Sequence, residues 1–256
     1  RSRSVLAALT SCLAIGVSTQ AMSLGVDTLE GKHLQHWVTD DMLLNADKDP
    51  NNWLMYGRDY ESTRYSPLKQ ISKDNIGDLV PKWNLSLGII DAQDSQVTAV
   101  NGRLYVTSSS NRVFALEGTT GRILWRYNRT LPSDLGPKLC CSAVNRGVIA
   151  YGDKVYMATL DTHIVALNNN TGAVVWEKKL GDYKTGQIFT SMPMVVDGKI
   201  MIGNSGGDLG ANPGTIYALD PDTGEQRWKT HTVPVTGKEE IAKTWGGESW
   251  KTAGGT

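Results

Sequence analysis

Val113-Phe114-Ala115-Leu116, then Thr120-Gly121, then Trp125, is a phrase that this chain writes three times. It returns as Ile164-Val165-Ala166-Leu167, Thr171-Gly172, Trp176, and again as Ile216-Tyr217-Ala218-Leu219, Thr223-Gly224, Trp228. The tryptophans stand 51 and 52 residues apart, and the offsets from Ala to Gly to Trp are identical in every copy. Self-similarity at this period, with strand-forming content, marks a propeller or a similar array of repeated units.

Each copy has the same internal order. A glycine turn (Asn101-Gly102, Gly152-Asp153, Asp197-Gly198) leads into a β-branched and aromatic strand, at 103–107, 154–159 and 199–203. A second strand ends in Ala-Leu, and a polar turn closing in Thr-Gly opens a third strand that carries the Trp. Asn, Asp, Pro and Gly supply the preset or left-handed backbone such turns need. Antiparallel strands joined this way form a four-stranded blade. The recurrent Trp is expected to pack between neighbouring blades. Helical patterning is confined to a capped stretch at Ser72–Leu79 and to Thr39–Leu44.

One copy departs from the others. Tyr105 to Ala115 and Tyr156 to Ala166 are each ten residues, but Met201 to Ala218 is seventeen. The seven additional residues fall within Gly203–Gly214, a glycine-rich stretch with one carboxylate, Asp208. Glycines let a ligand approach the backbone closely. A longer solvated hairpin is the alternative reading of the same stretch.

The chain has 256 residues, no formal net charge and 20% charged residues, so it offers no basic field for nucleic acid. No apolar run reaches the roughly 18 residues that span a bilayer. Arg1 and Arg3 precede an apolar run from Val5 to Val17 and small residues through Ala21, the pattern of a secretory signal. Residues 1–21 read as that signal, 22–37 as a linker and 38–256 as the repeat domain, in an exported protein. Leu9-Thr10-Ser11-Cys12 also resembles a lipoprotein box, although the apolar run continues past Cys12. Removal of the signal takes Cys12 with it and leaves the adjacent pair Cys140-Cys141. An even count in an oxidising compartment suggests a disulfide. Adjacent Cα atoms lie only about 3.8 Å apart, so such a bond distorts the peptide between them. Two free thiols on opposite faces of a strand are the alternative.

Cys140-Cys141-Ser-Ala-Val-Asn145-Arg146-Gly147, set among Trp-ended repeats, resembles the quinoprotein methanol and ethanol dehydrogenases. The resemblance runs from about Val38 to Thr256. It takes in Trp53-Leu-Met-Tyr-Gly-Arg58, Tyr65-Ser-Pro-Leu-Lys-Gln-Ile71 and Trp250-Lys-Thr-Ala-Gly-Gly-Thr256. It implies an all-β, eight-bladed propeller, of which this chain supplies about three blades and the start of a fourth. It further implies pyrroloquinoline quinone (PQQ) with calcium or a lanthanide, and oxidation of a primary alcohol. Electrons would pass to a periplasmic cytochrome c, and a homodimer or small-subunit complex is possible in such a family.

The resemblance also assigns residues. Cys140 and Cys141 form a vicinal disulfide against the quinone, and Arg146 pairs with a cofactor carboxylate, for which a planar guanidinium is suited. Thr190, Ser205, Gly206 and Gly207 contact the cofactor as well. Two positions differ from the family pattern. Asp94 stands in Gln93-Asp94-Ser95-Gln96 where a Glu is usual, and the metal ligand is Asp208 where the family has Glu. Both keep the charge and shorten the reach. The catalytic Asp base is expected beyond Thr256, so none of the residues present is assigned as catalytic. Asp161 and His163 are expected in a solvated turn, Lys138 on the surface, Trp245 and Trp250 in packing, and all four histidines outside the chemistry. A competing reading is a non-enzymatic envelope scaffold propeller that binds other proteins. It accounts for the Trp phrase, but not for the joint occurrence of Cys140-Cys141, Arg146 and the long loop.

Overall fold

The alanine of the repeat decides how each sheet is built. The computed structural model describes residues 37–139, 141–207 and 212–255. The expected signal and most of the linker, together with Cys140, Asp208 and Thr256, lie outside them. Within the described residues are three antiparallel four-stranded meanders. The first holds β1 (Thr98–Val100), β2 (Arg103–Ser108), β3 (Arg112–Glu117) and β4 (Ile123–Asn128). The second holds β5 (Ile149–Tyr151), β6 (Lys154–Ala158), β7 (His163–Asn168) and β8 (Val174–Lys179). The third holds β9 (Met194–Val196), β10 (Lys199–Gly203), β11 (Thr215–Leu219) and β12 (Gln226–His231).

Ala115 lies opposite both Tyr105 and Trp125, and Ala166 opposite Tyr156 and Trp176. A methyl group between two large cross-strand neighbours leaves room for them to meet over it. Their ring centroids are 6.0 Å apart in the first sheet and 5.8 Å apart in the second. Such tilted aromatic pairs add to the area they bury. In the third sheet Met201 and Trp228 flank Ala218. The pairing slips by one residue after each of these alanines. That recurrent bulge strengthens the local twist.

The Trp then closes on the next blade. Trp125 Nε1 donates to the Asn169 carbonyl at 2.7 Å, and Trp176 Nε1 to the Pro221 carbonyl at 3.0 Å. Tyr105 and Tyr156 donate their hydroxyls to Asn169 Oδ1 and the Pro221 carbonyl. The indole lies flat on the Thr-Gly turn: a Cβ on Gly172 would sit 2.5 Å from Trp125, and one on Gly224 2.6 Å from Trp176. Both glycines also have φ near +70°, so the turn needs glycine twice over. Packing of Trp125 and Trp176 between sheets is therefore as expected, while Trp228 of the third copy is 40% exposed. The second sheet, blade 2 in chain order and covered on both faces, buries every residue of β6, while β10 of the third alternates buried with half-buried residues.

Trp83 repeats this arrangement without belonging to the repeated phrase. Its Nε1 donates to the Gly118 carbonyl at 3.0 Å, and a Cβ on Gly121 would sit 2.5 Å from its ring. Around it Trp83, Leu85, Leu87 and Ile89 are half-buried and the residues between them exposed. Residues 82–90 thus lie on blade 1 as β4 lies on blade 2.

Helix α1 (Asp40–Leu44) forms where expected, capped by Thr39, whose hydroxyl accepts from the Met42 N–H. The stretch Ser72–Leu79 does not form the expected helix. Ser72 and Asn75 do bond each other, but only Ile76–Asp78 coils, as a 3-10 turn with no buried residue. Without an apolar face to bury, a cap cannot sustain an α-helix.

Asp161 and His163 are not in a solvated turn. The Asp161 side chain is 8% exposed and receives Arg129 through two 2.7 Å bonds, from Nε and Nη2. Thr159 donates to it at 2.6 Å, and His163 Nδ1 lies 3.3 Å from its second oxygen. Arg129 also reaches Glu177 Oε2 at 3.0 Å. Burial alone would raise the Asp161 pKa, but hydrogen bonds from His163, Arg129 and Thr159 outweigh it and hold the carboxyl below its ordinary value. His231 is likewise structural, its Nδ1 bonded with the Thr215 hydroxyl at 3.0 Å.

Two predictions follow from these locks. Gly172→Ala should destabilise the protein by roughly 2–4 kcal/mol, from left-handed strain plus overpacking, read as a lower urea midpoint. An unchanged midpoint would contradict the Trp-on-Gly contact. For Asp161 the folded pKa is depressed, so its contribution is complete above about pH 4 and is lost as pH falls through the lowered value. Asp161→Asn should therefore cost roughly 3 kcal/mol at neutral pH. The gap between its urea midpoint and that of the native protein should begin to narrow below about pH 4 and close only as pH reaches the lowered value.

Candidate cofactor site

Four of the eight residues singled out for a cofactor, Asp94, Arg146, Thr190 and Ser205, lie on or within two residues of one line of backbone hydrogen bonds. Three segments enter the innermost strands β1, β5 and β9, and they are stitched to one another. The Gln96 N–H donates to the Arg146 carbonyl at 3.2 Å, and the Arg146 N–H to the Thr190 carbonyl at 3.0 Å. Two residues before Thr190, Ile188 exchanges both backbone bonds with Ser205, at 2.9 and 3.3 Å, and accepts the Ser205 hydroxyl as well. Asp94, Arg146, Thr190 and Ser205 thus share one lattice, although they are spread over more than a hundred residues of sequence.

In the segments of Asp94 and Arg146 the neighbours anchor and the assigned residue projects, whereas Thr190 is buried and Ser205 is itself an anchor on Ile188. Gln93 Nε2 donates to the Thr107 carbonyl, Ser95 Oγ accepts from the Thr107 N–H, and Gln96 Nε2 donates to the Met55 carbonyl. Asp94, between them, is left half-exposed. Asn145 Nδ2 donates to the Ala158 carbonyl, and its Oδ1 accepts from the Gly147 N–H. Gly147 has φ +128°, and a Cβ there would press on the Gln96 carbonyl at 3.0 Å. Arg146 projects from between these two anchors. Its Nη2 lies 3.7 Å from Asp94 Oδ2, with the side chains 37% and 47% exposed. That is too long for a hydrogen bond and too wet for a strong ion pair.

The glycines of the long loop have a structural reason of their own. Gly206 is at φ +114°, where a Cβ would lie 2.0 Å from the Gly186 carbonyl; on Gly207 it would lie 2.2 Å from the Gly255 carbonyl. The connection from Gly203 to Thr215 is long, as the spacing predicts, against three residues between β2 and β3. At its edge Asn212 Nδ2 and Thr232 Oγ1 are buried without a hydrogen-bond partner among the described residues. Asn212 was not singled out from the sequence; its place inside the insertion was the available signal. Asp208 lies outside the described residues, among which no group of three His, Cys, Asp or Glu side chains could hold a metal.

Cys141 is exposed and engaged in a disulfide, while Cys140 lies outside the described residues. Ser142, directly after it, has φ +70°. Lys138 is exposed, as expected, and Trp250 packs over Gly237. Two clefts of about 310 and 470 Å³ beside α1 share Asp40 and contain none of the assigned residues.

A half-exposed Arg146 guanidinium, and an unpartnered Asn212 amide nitrogen in the long loop, suit a ligand that carries a carboxylate and accepts hydrogen bonds. Comparison with known proteins points the same way. Residues 53–256 match the family model described as PQQ, glucose/ethanol/alcohol dehydrogenase, beta-propeller domain. The chain is 45% identical over 205 residues to a quinoprotein ethanol dehydrogenase of Pseudomonas aeruginosa, covering 77% of this chain and 33% of the relative. Among solved structures, a quinohemoprotein alcohol dehydrogenase of Pseudomonas putida superposes with a TM-score of 0.79 at 36% identity, over 85% of this chain and 33% of that one. A europium-containing methanol dehydrogenase gives 0.76 at 32% identity, over 85% and 42%. The chain therefore spans about a third of the length of the curated relative and less than half of either structure. Its three Trp-locked sheets are propeller blades, and the chain belongs to the family of PQQ-dependent glucose, ethanol and alcohol dehydrogenases.

Proposed function

We propose that the protein carrying this chain oxidises primary alcohols with PQQ, and that these residues form one wall of the cofactor seat. The observation that supports this most is the single backbone lattice joining the segments of Asp94, Arg146, Thr190 and Ser205. Arg146 would bind a cofactor carboxylate through the guanidinium donors that Asp94 leaves open. Asp94, Thr190 and Ser205 would hold polar atoms of the ring, and the orphaned Asn212 amide offers a further donor. Gly206 and Gly207 would keep the loop backbone close. Cys140 and Cys141 would pair with each other as a flat, proton-free surface against the ring. Bound PQQ supplies the acceptor for the two electrons the alcohol loses.

Asp208 would contribute a carboxylate to calcium or a lanthanide, cations that accept oxygen ligands in flexible geometry. With one methylene fewer than Glu, it binds only if the loop backbone moves closer or water bridges. The remaining parts of the reading concern the whole protein. The ring would have eight blades, with residues 82–90 lying as the outer strand of the closing blade. A signal over residues 1–21 and a linker to residue 37 would precede the propeller at 38–256 and deliver it to the periplasm, where a cytochrome c would receive the electrons. The catalytic Asp base would lie beyond Thr256.

The test is binding of PQQ to the full-length protein, followed by fluorescence quenching, with dye reduction by short primary alcohols beside it. Arg146→Gln should weaken PQQ binding by about tenfold or more, the worth of a charge-assisted pair. Asp208→Glu should raise the affinity for calcium. Failure to bind PQQ with either metal would contradict the enzyme reading and favour a scaffold propeller.

A further inference from the structure

The buried Arg129–Asp161 pair has no place in the cofactor seat, yet it stands at the root of the segment that carries the cysteines. That segment runs from the end of β4 to the start of β5 and lies strapped over two hairpins. At its root Arg129 grips Asp161, and the Arg129 N–H donates to the Asn111 carbonyl at 3.2 Å. In its middle, Leu131, Leu135 and Leu139 share an apolar cluster with Leu160, Tyr183 and Ile188. Tyr183 donates to Asp134 at 2.9 Å. At its far end, the Ala143 carbonyl accepts from the Ser110 N–H, and Asn145 bonds the Ala158 carbonyl. The bed is the last residue of β6 with the four-residue connection that follows it to β7. Ala158 holds the end of the strap, Leu160 its middle and Asp161 its root.

That connection is itself locked. The Leu160 N–H donates to Asn111 Oδ1 at 2.9 Å, and Thr162, at φ +65°, bonds the Gly181 carbonyl through its hydroxyl. A β-branched residue stays in the left-handed region only where its surroundings hold it there. Ser142, next to Cys141, is left-handed too, so the strap carries strain beside the disulfide.

We propose that Arg129 and Asp161 are positioning residues whose ion pair fixes the strap and so sets the face that the Cys141 disulfide presents to the cofactor. A plain blade-to-blade lock does not require this pair, because the same two blades are already locked at the other ends of their strands. There Arg103 donates to the Asn169 carbonyl and side chain at 2.8 and 2.9 Å, and Trp125 covers Gly172. What the Arg129 end adds is the strap. The proposal rests on the reading of the cysteines as part of the PQQ seat.

The experiment uses the full-length protein. Peptide mapping of the unreduced wild type establishes the Cys141 linkage, and thiol titration then follows the rate at which a phosphine reductant opens it in the apoprotein. The PQQ dissociation constant is measured in parallel. Asp161→Asn should open about tenfold faster and bind PQQ about tenfold more weakly, as a loosened supporting shell demands. Arg129→Lys, which keeps one bond, should fall between, and carries the comparison if the Asn variant does not fold. Arg103→Gln loosens the same blade pair at its opposite end and should leave both quantities within about twofold. Equal acceleration in Arg103→Gln, or none in Asp161→Asn, overturns the clamp while leaving the cofactor reading intact. Free thiols in the wild type overturn that reading, and the clamp with it.

Discussion

Everything in this structure depends on an indole lying on a glycine. Trp83, Trp125 and Trp176 each close on a left-handed Thr-Gly turn of the following blade, at distances that admit no side chain there. Each contact also satisfies the indole N–H on a carbonyl of the same turn. An open sheet face would otherwise expose apolar residues, and the lock converts two such faces into one buried interface. It also fixes the angle between blades, and therefore which inner segments meet.

The candidate site is a consequence of that angle. The segments entering β1, β5 and β9 bond one another only because their blades are held side by side. In the first two of these segments, polar neighbours hold the backbone while Asp94 and Arg146 remain half-exposed; Thr190, in the third, is buried. Gln93, Ser95 and Gln96 anchor Asp94; Asn145 and Gly147 anchor Arg146. Site and scaffold thus alternate residue by residue, so even conservative changes at the anchors are expected to act on the site.

Much of this was legible in the sequence, and for definite reasons. The Ala, Thr-Gly and Trp offsets are local and repeated, so they announce the blade, its bulge and its lock. The long third connection was legible as a departure from the same spacing. Trp83 was not, because its segment lacks the Ala-Leu and Thr-Gly partners that make the other tryptophans recognisable. The Arg129–Asp161 pair was invisible for another reason: it joins two copies across 32 residues of sequence, and a lone Asp in a short turn carries no sign of burial. Ser72 and Asn75 gave a helix signal in which only the capping chemistry was real. Asn212 was hidden inside a stretch read for its glycines and its carboxylate.

The most direct test of the central claim is a structure of the full-length protein crystallised with PQQ. The account predicts the cofactor against the inner lattice, with Arg146 on a carboxylate and Asp94, Thr190 and Ser205 within hydrogen-bond distance of its polar atoms. A cofactor bound away from this lattice, or held without Arg146, would contradict it.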